Sequence, residues 1–278
     1  MIRFIDSLEV FCYVLEMRKY LLLPVILFIL LFPEYSPGFD ITGLQPTSPY
    51  GIFSTFSAES LPKGKVALSA DAEILFEPDF YRFLFKAAYG ITDNIEFDVT
   101  IPYIYKWSDT VNGFEDIAIG LKHRFVNETK YSPSIAYILT ASIPSGRDEF
   151  TTDGAFGGGL LVSKRVGPVK GHFNVMYEKP GKSSLDDEVI LAVGLDFAAA
   201  HNMKLLAELY SKKDFDPNIF DSTELRVGYR VKVSDILYTT VGAAFDIESE
   251  DPEYRLLLSV SFLFPPEKKV IKKLYEEE

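Results

Sequence analysis

Residues 81–105 read YRFLFKAAYGITDNIEFDVTIPYIY, and their period decides the fold. Tyr81, Phe83, Phe85, Ala87, Tyr89 and Ile91 fall on one face, and Arg82, Leu84, Lys86, Ala88 and Gly90 on the other. Thr92-Asp93-Asn94 has the chemistry of a tight turn. Beyond it the alternation returns, with Ile95, Phe97, Val99, Ile101, Tyr103 and Tyr105 against Glu96, Asp98 and Thr100. A period of two is the mark of a β-strand, whose successive side chains point to opposite faces. Each run is roughly ten residues long, whereas soluble strands average about 5–6 and a tilted strand crossing a bilayer needs about 9–11.

Similar runs lie on either side of this hairpin. They cover 65–76, 116–125, 134–143, 189–197, 203–211, 223–232, 236–245 and 254–264, with less regular ones at 155–166 and 169–178, which makes twelve candidate strands. Short connections near 92–94, 126–131, 167–168, 199–202 and 233–235 alternate with longer ones near 106–113, 144–154, 179–187, 212–222 and 246–253. Only the link at 77–79 is short where a long one is due. Strand length and alternating loop length together predict an all-β transmembrane antiparallel barrel over 63–264, of the bacterial outer-membrane kind. Closure leaves no unpaired backbone edge in hydrocarbon, and the apolar face meets lipid, where a soluble sandwich would need a second sheet. An even strand number places both termini in the periplasm.

The chain carries 23 Phe and 16 Tyr but one Trp, and a net charge of −12. That charge argues against nucleic-acid binding, which needs clustered cations. The single cysteine, Cys12, excludes a disulfide framework and a Cys-based metal site. Met17-Arg18-Lys19, the apolar run Leu21–Phe32 and the small residues Ser36 and Gly38 read as a signal peptide cut after Gly38, with Met17 the expected start. Residues 1–38 are thus a signal region. Residues 39–62, with Pro46, Pro49 and Pro62, are a periplasmic segment or a lumen plug. Residues 265–278 are a charged periplasmic tail.

Tyr89-Gly90-Ile91-Thr92-Asp93-Asn94, running into Ile101-Pro102-Tyr103, resembles the strand–turn–strand signature of the MetA-pathway phenol-degradation family of outer-membrane transporters. Gly113-Phe114-Glu115-Asp116-Ile117 through Phe125 is similar to that family's Gly-Asp strand opening, and Ile143-Pro144-Ser145-Gly146 to its Pro-x-Gly turn. The resemblance implies an outer-membrane channel or transporter for small organic or aromatic compounds, without catalytic residues to carry over. Phe264 fits the aromatic on which such barrels commonly end, although Pro265-Pro266 and the charged tail follow it.

No enzyme site assembles from the titratable residues. His172 and Asn174 share a strand face, but no serine lies two residues from His172; a membrane-embedded hydrolase and a barrel without transport are the competing readings. Asp214, Asp216 and Asn218 open like a calcium loop but have Ile219 where Gly and Leu225 where Glu are needed. No catalytic residue, metal or cofactor is expected. Candidate lumen-lining residues are Asp71, Glu73, Arg82, Lys86, Glu96, Asp98, Asp116, Lys122, Arg124, Glu208, Glu224, Arg226, Arg230 and Arg255. Asp196, Lys204 and Lys232 share their face. Acids and bases on neighbouring strands read either as cross-strand pairs or as the lining of a solute path. The expected partners are outer-membrane lipid and a small solute.

Overall fold

The computed structural model describes residues 43–76, 79–107, 110–214, 222–247 and 254–265. The signal region, the tail beyond Pro265, the 77–78 link and most of the calcium-like loop lie outside these residues. The strands are β1 (Val66–Phe76), β2 (Asp79–Gly90), β3 (Ile95–Trp107), β4 (Val111–Phe114), β5 (Ile117–Val126), β6 (Ser134–Ile143), β7 (Ala155–Val166), β8 (Val169–Pro180), β9 (Glu188–Ala200), β10 (Met203–Asp214), β11 (Ser222–Lys232), β12 (Leu237–Asp246) and β13 (Tyr254–Phe264).

All strands but the four-residue β4 have 10 to 13 residues, and each pairs antiparallel with its neighbours in the chain. The first strand pairs with the last, from Val66 opposite Phe264 to Leu75 opposite Arg255. Twelve strands therefore close into a barrel, with β4 as an appendage on β3. The start of β1 and the end of β13 lie together at the end that carries the short turns.

The two faces invert the arrangement of a soluble protein. Leu139 is 56% exposed and Phe85 53%, with Phe97, Leu121, Val193, Leu205, Val227 and Val260 also outward. Such a belt exceeds what a protein presents to water; in a bilayer it is solvated by hydrocarbon, and the barrel leaves no backbone edge there. Arg82, Lys86, Glu96, Asp98, Lys122, Glu208, Glu224, Arg226 and Arg230 are buried inside. The runs at 155–166 and 169–178 are regular strands after all. Their irregular pattern comes from glycine: a Cβ at Gly157 would lie 2.2 Å from the Tyr177 carbonyl oxygen, so only glycine lets β7 and β8 approach so closely.

The strand expected at 116–125 is present as β5, Ile117–Val126, but the approach to it needs correction. β3 pairs with β5 only as far as Thr100, and the segment read as a loop, 106–113, instead holds the end of β3 and β4 folding back on it. The ladder breaks at Glu115 and Asp116, two consecutive buried carboxylates that a regular strand would send to opposite faces. Pro102 sits opposite this break. It accepts from the Glu115 N–H at 3.1 Å but has no N–H to return.

Candidate functional site in the barrel interior

The interior is occupied by the chain itself. Residues 44–48 and 54–58 are buried without exception. Gly43 lies against the Glu178 carboxylate near the long-connection end of β8. From there the chain descends to Tyr50, which packs on Leu61, Ala67, Ala88, Tyr238 and Leu263. It rises to Ser54, opposite Glu208, and descends again to Lys63, whose N–H reaches Asp93 Oδ1 at 3.0 Å in the β2–β3 turn.

One side of the wall receives this segment by apolar packing. Leu44, Phe56 and Ala58 form a cluster with Ala118, Ala136, Ile138, Leu161, Met176, Ile190, Ala192 and Tyr210. Glycines make the recesses: a Cβ at Gly120 would lie 2.3 Å from Leu44 Cδ2, and one at Gly194 2.7 Å from Ile52 Cδ1.

Polar wall groups hold its backbone. Thr100 Oγ1 accepts from the Gln45 N–H at 3.1 Å. Lys86 Nζ donates to the Pro46 carbonyl at 2.8 Å, and Arg230 donates to the Pro49 and Gly51 carbonyls at 2.7 and 2.9 Å. Glu208 accepts from the Ser54 and Thr55 N–H groups at 2.9 and 2.8 Å. Asn174 Oδ1 accepts from the Phe56 N–H at 2.6 Å while its Nδ2 donates to the Phe56 carbonyl at 3.0 Å. Ser163 Oγ accepts from the Ala58 N–H at 2.9 Å, and Glu96 accepts from that of Leu61.

The candidate lining residues separate into four groups. Around β1, β2, β10, β11 and β13 they form an ion-pair network. Arg82 Nε lies 2.7 Å from Glu115, with Glu73 3.9 Å from the same guanidinium. Arg226 bridges Glu224 at 2.7 Å and Glu208 at 3.0 Å, and Arg255 meets Glu224 at 2.5 Å. Lys86 pairs with Asp71. Glu96 pairs with Lys122 at 2.7 Å on β3 and β5. Beside it, neither oxygen of Asp98 has a hydrogen-bond partner among the described residues. Arg230 has no ion pair among the described residues; its hydrogen bonds go to Thr240, Ser48 and two carbonyls.

Asp116 and Arg124 serve the connections instead of lining a path. Asp116 accepts from the Gly146 and Thr152 N–H groups at 2.9 and 2.8 Å and from the Thr151 and Thr152 hydroxyls at 2.9 and 2.6 Å. It thereby ties down the 144–154 connection, whose Phe150 is buried against Leu75, Phe80 and Ile104. Arg124 donates to the Asp93 carbonyl and Asn94 Oδ1 in the neighbouring short turn.

Sequence reading missed Glu115, Lys170 and Ser163 as lumen groups, while Asn174 lies on the inward face that it shares with His172. Lys170 pairs with Glu59 of the inner segment at 2.5 Å. Ser163, directly across from His172 on the next strand, places its Oγ 2.8 Å from His172 Nδ1. The serine that spacing along one strand could not supply thus comes from the neighbouring strand. It also accepts from Ala58 and is buried, so the pair anchors the inner segment. Among the described residues no three His, Cys, Asp or Glu side chains cluster as metal ligands.

A cavity of about 30 Å³ remains between the segment and the β1, β2 and β11–β13 wall, bordered by Ser48, Phe53, Asp71, Glu73, Lys86, Arg226 and Arg230. A water needs about 10–15 Å³ of such space, so the cavity holds about two.

No family model and no curated protein matches the sequence. Solved structures do. The KdgM porin superposes with a TM-score of 0.55 at 11% identity, covering 70% of this chain and 98% of that one. An outer membrane channel from Pseudomonas putida F1 gives 0.54 at 14%, covering 74% and 98%, and the NanC porin 0.53 at 10%, covering 70% and 98%. The fold is that of an outer-membrane channel barrel. The finer resemblance to the phenol-degradation family is matched by no family model.

Proposed function

We propose that this barrel is an outer-membrane channel for small organic solutes, with both termini in the periplasm and residues 43–62 acting as a plug that keeps it closed at rest. The observation that carries the reading is the polar, charge-lined interior around a segment of the chain held there. A barrel that served only as a membrane scaffold would have no need of either. Lipid surrounds the outward belt, and a displaced plug would leave a water-filled path along the charged wall. A twelve-stranded barrel lies between the roughly 8 strands whose interiors side chains fill and the roughly 16–18 that leave an open aqueous channel.

The test is single-channel recording from the full chain in planar bilayers. The expected record is small, intermittent conductance, because the lumen opens only when the plug shifts. A large, steady conductance would defeat the plug reading, and none under any voltage or solute would defeat the channel reading.

A further inference from the structure

The wall recognises the inner segment by its main chain. Asn174 meets both the N–H and the C=O of Phe56, as one peptide unit meets another. Glu208 takes two consecutive N–H groups, while Lys86 and Arg230 take carbonyls and Thr100 and Ser163 take single N–H groups. Each donor or acceptor is matched to a main-chain group that every polypeptide carries. Side chains outside residues 55–58 also make specific contacts: Leu44 and Ile52 sit in glycine recesses, Arg226 meets the Ser54 hydroxyl and Lys170 pairs with Glu59; within residues 54–58 such contacts are fewer. Residues 54–58 are Ser, Thr, Phe, Ser and Ala, and of these only Phe56 fills a sizeable apolar site.

We infer that the lumen is a binding track for peptide backbone, and that short peptides are the solute class, with residues 43–62 as a tethered competitor. The transport half of this inference rests on the channel reading above; the binding half does not. Tethering gives the resident segment an effective concentration in the millimolar range for short flexible connections. A peptide in trans must therefore be supplied at comparable or higher concentration to displace it. Main-chain recognition, as in strand addition to a sheet edge, tolerates different side chains.

The experiment measures backbone hydrogen exchange in the folded full chain, in detergent or lipid. The probes are the pentapeptide Ser-Thr-Phe-Ser-Ala, the reversed pentapeptide Ala-Ser-Phe-Thr-Ser, and the neutral trisaccharide raffinose. Both peptides are expected to speed exchange at residues 54–58 several-fold, saturably and alike, and raffinose to leave it unchanged. Asn174→Leu should raise the peptide concentration needed for half the effect; if that variant does not fold, the comparison in the unaltered chain still decides. Unchanged exchange with both peptides overturns the inference, as does an effect confined to the first peptide, which would show docking specific to the resident sequence, or an equal effect of raffinose. Solute flux into liposomes separates the two readings. Peptide-accelerated exchange without flux of any probe upholds the binding track and defeats the channel. Raffinose flux without peptide-accelerated exchange does the reverse.

Discussion

The two sides of the lumen wall hold the same segment by different physics. From β5 to β9 the wall buries Leu44 and Phe56 against Ala118, Ala136, Ile138, Leu161, Met176 and Ala192, with Asn174 and Ser163 adding hydrogen bonds to the segment's main chain. From β10 round to β2 it carries Arg82, Lys86, Glu208, Glu224, Arg226 and Arg230, and there the cavity remains. Apolar burial scales with area and has no direction, so the first side contributes most of the grip. Ion pairs taken out of water roughly offset their own desolvation, so the second side adds little net hold but fixes the segment's course and the charge of the path beside it. The difference teaches that, in the proposed channel, closing strength and selectivity are separable.

The strongest way to break that comparison is to remove the segment. A chain lacking residues 43–62 is expected to lose the closed state and conduct steadily in planar bilayers. Conductance unchanged from the full chain would show that something else closes the lumen.

The next test weakens the apolar side alone. Phe56→Ala should cost about 3–5 kcal/mol of docking. At roughly tenfold per 1.4 kcal/mol, even the lower figure raises the open population about a hundredfold. Ion preference should not move, because no charge is altered. A changed preference in single-channel reversal potentials would show that the two sides are not independent.

The third alters the charged side. Replacing Arg226 and Arg230 together by Gln removes two fixed positive charges from the cavity's border, and the path should shift toward cations. Openings should also lengthen, because Arg230 holds the Pro49 and Gly51 carbonyls and Arg226 the Ser54 hydroxyl. The expected change in open population is smaller than for Phe56→Ala. Reversal potentials identical to those of the unaltered chain, in a variant that still folds, would remove this wall from the conducting path.

How far the sequence spoke depends on whether a property is local. The period of two in residues 81–105, the closure implied by strand length, and the inward placement of Glu96, Arg226 and Arg230 are each written in a few consecutive residues. The break at Glu115 and Asp116 was hidden because its cause lies elsewhere, in Arg82 on β2 and in the amides of the 144–154 connection. The course of residues 43–62 was illegible for the same reason: its hydrogen-bond partners on the barrel lie from 34 to 182 positions away, and its own residues show no period. Ser163 and His172 became neighbours only through the register of β7 and β8, which spacing along one strand cannot reveal.

The smallest expected effect concerns the long-connection end, outside both sides of the wall, where Asp116 holds the 144–154 connection. Burial alone would raise its carboxyl, but the hydrogen bonds from Thr152, Gly146 and Thr151 outweigh burial and hold it below the usual carboxylate range. A carboxyl depressed in the folded state contributes stability above its unfolded value of about 3.9 and loses it as pH falls through the lower folded value. The connection should therefore stay docked from pH 7 to about 5 and loosen only below about 4, with Phe150 leaving its site against Leu75, Phe80 and Ile104. Asp116→Asn exchanges an acceptor for a donor facing the Thr152 or Gly146 N–H, so it should loosen the connection already at neutral pH and abolish the acid step. Hydrogen exchange of residues 145–152 across this pH range, corrected for the intrinsic rate, is the measurement. A loosening that begins between pH 7 and 5 in the unaltered chain would show that another group ties the connection down. In either outcome the ion preference should be untouched, because the connection does not border the cavity beside Arg226 and Arg230.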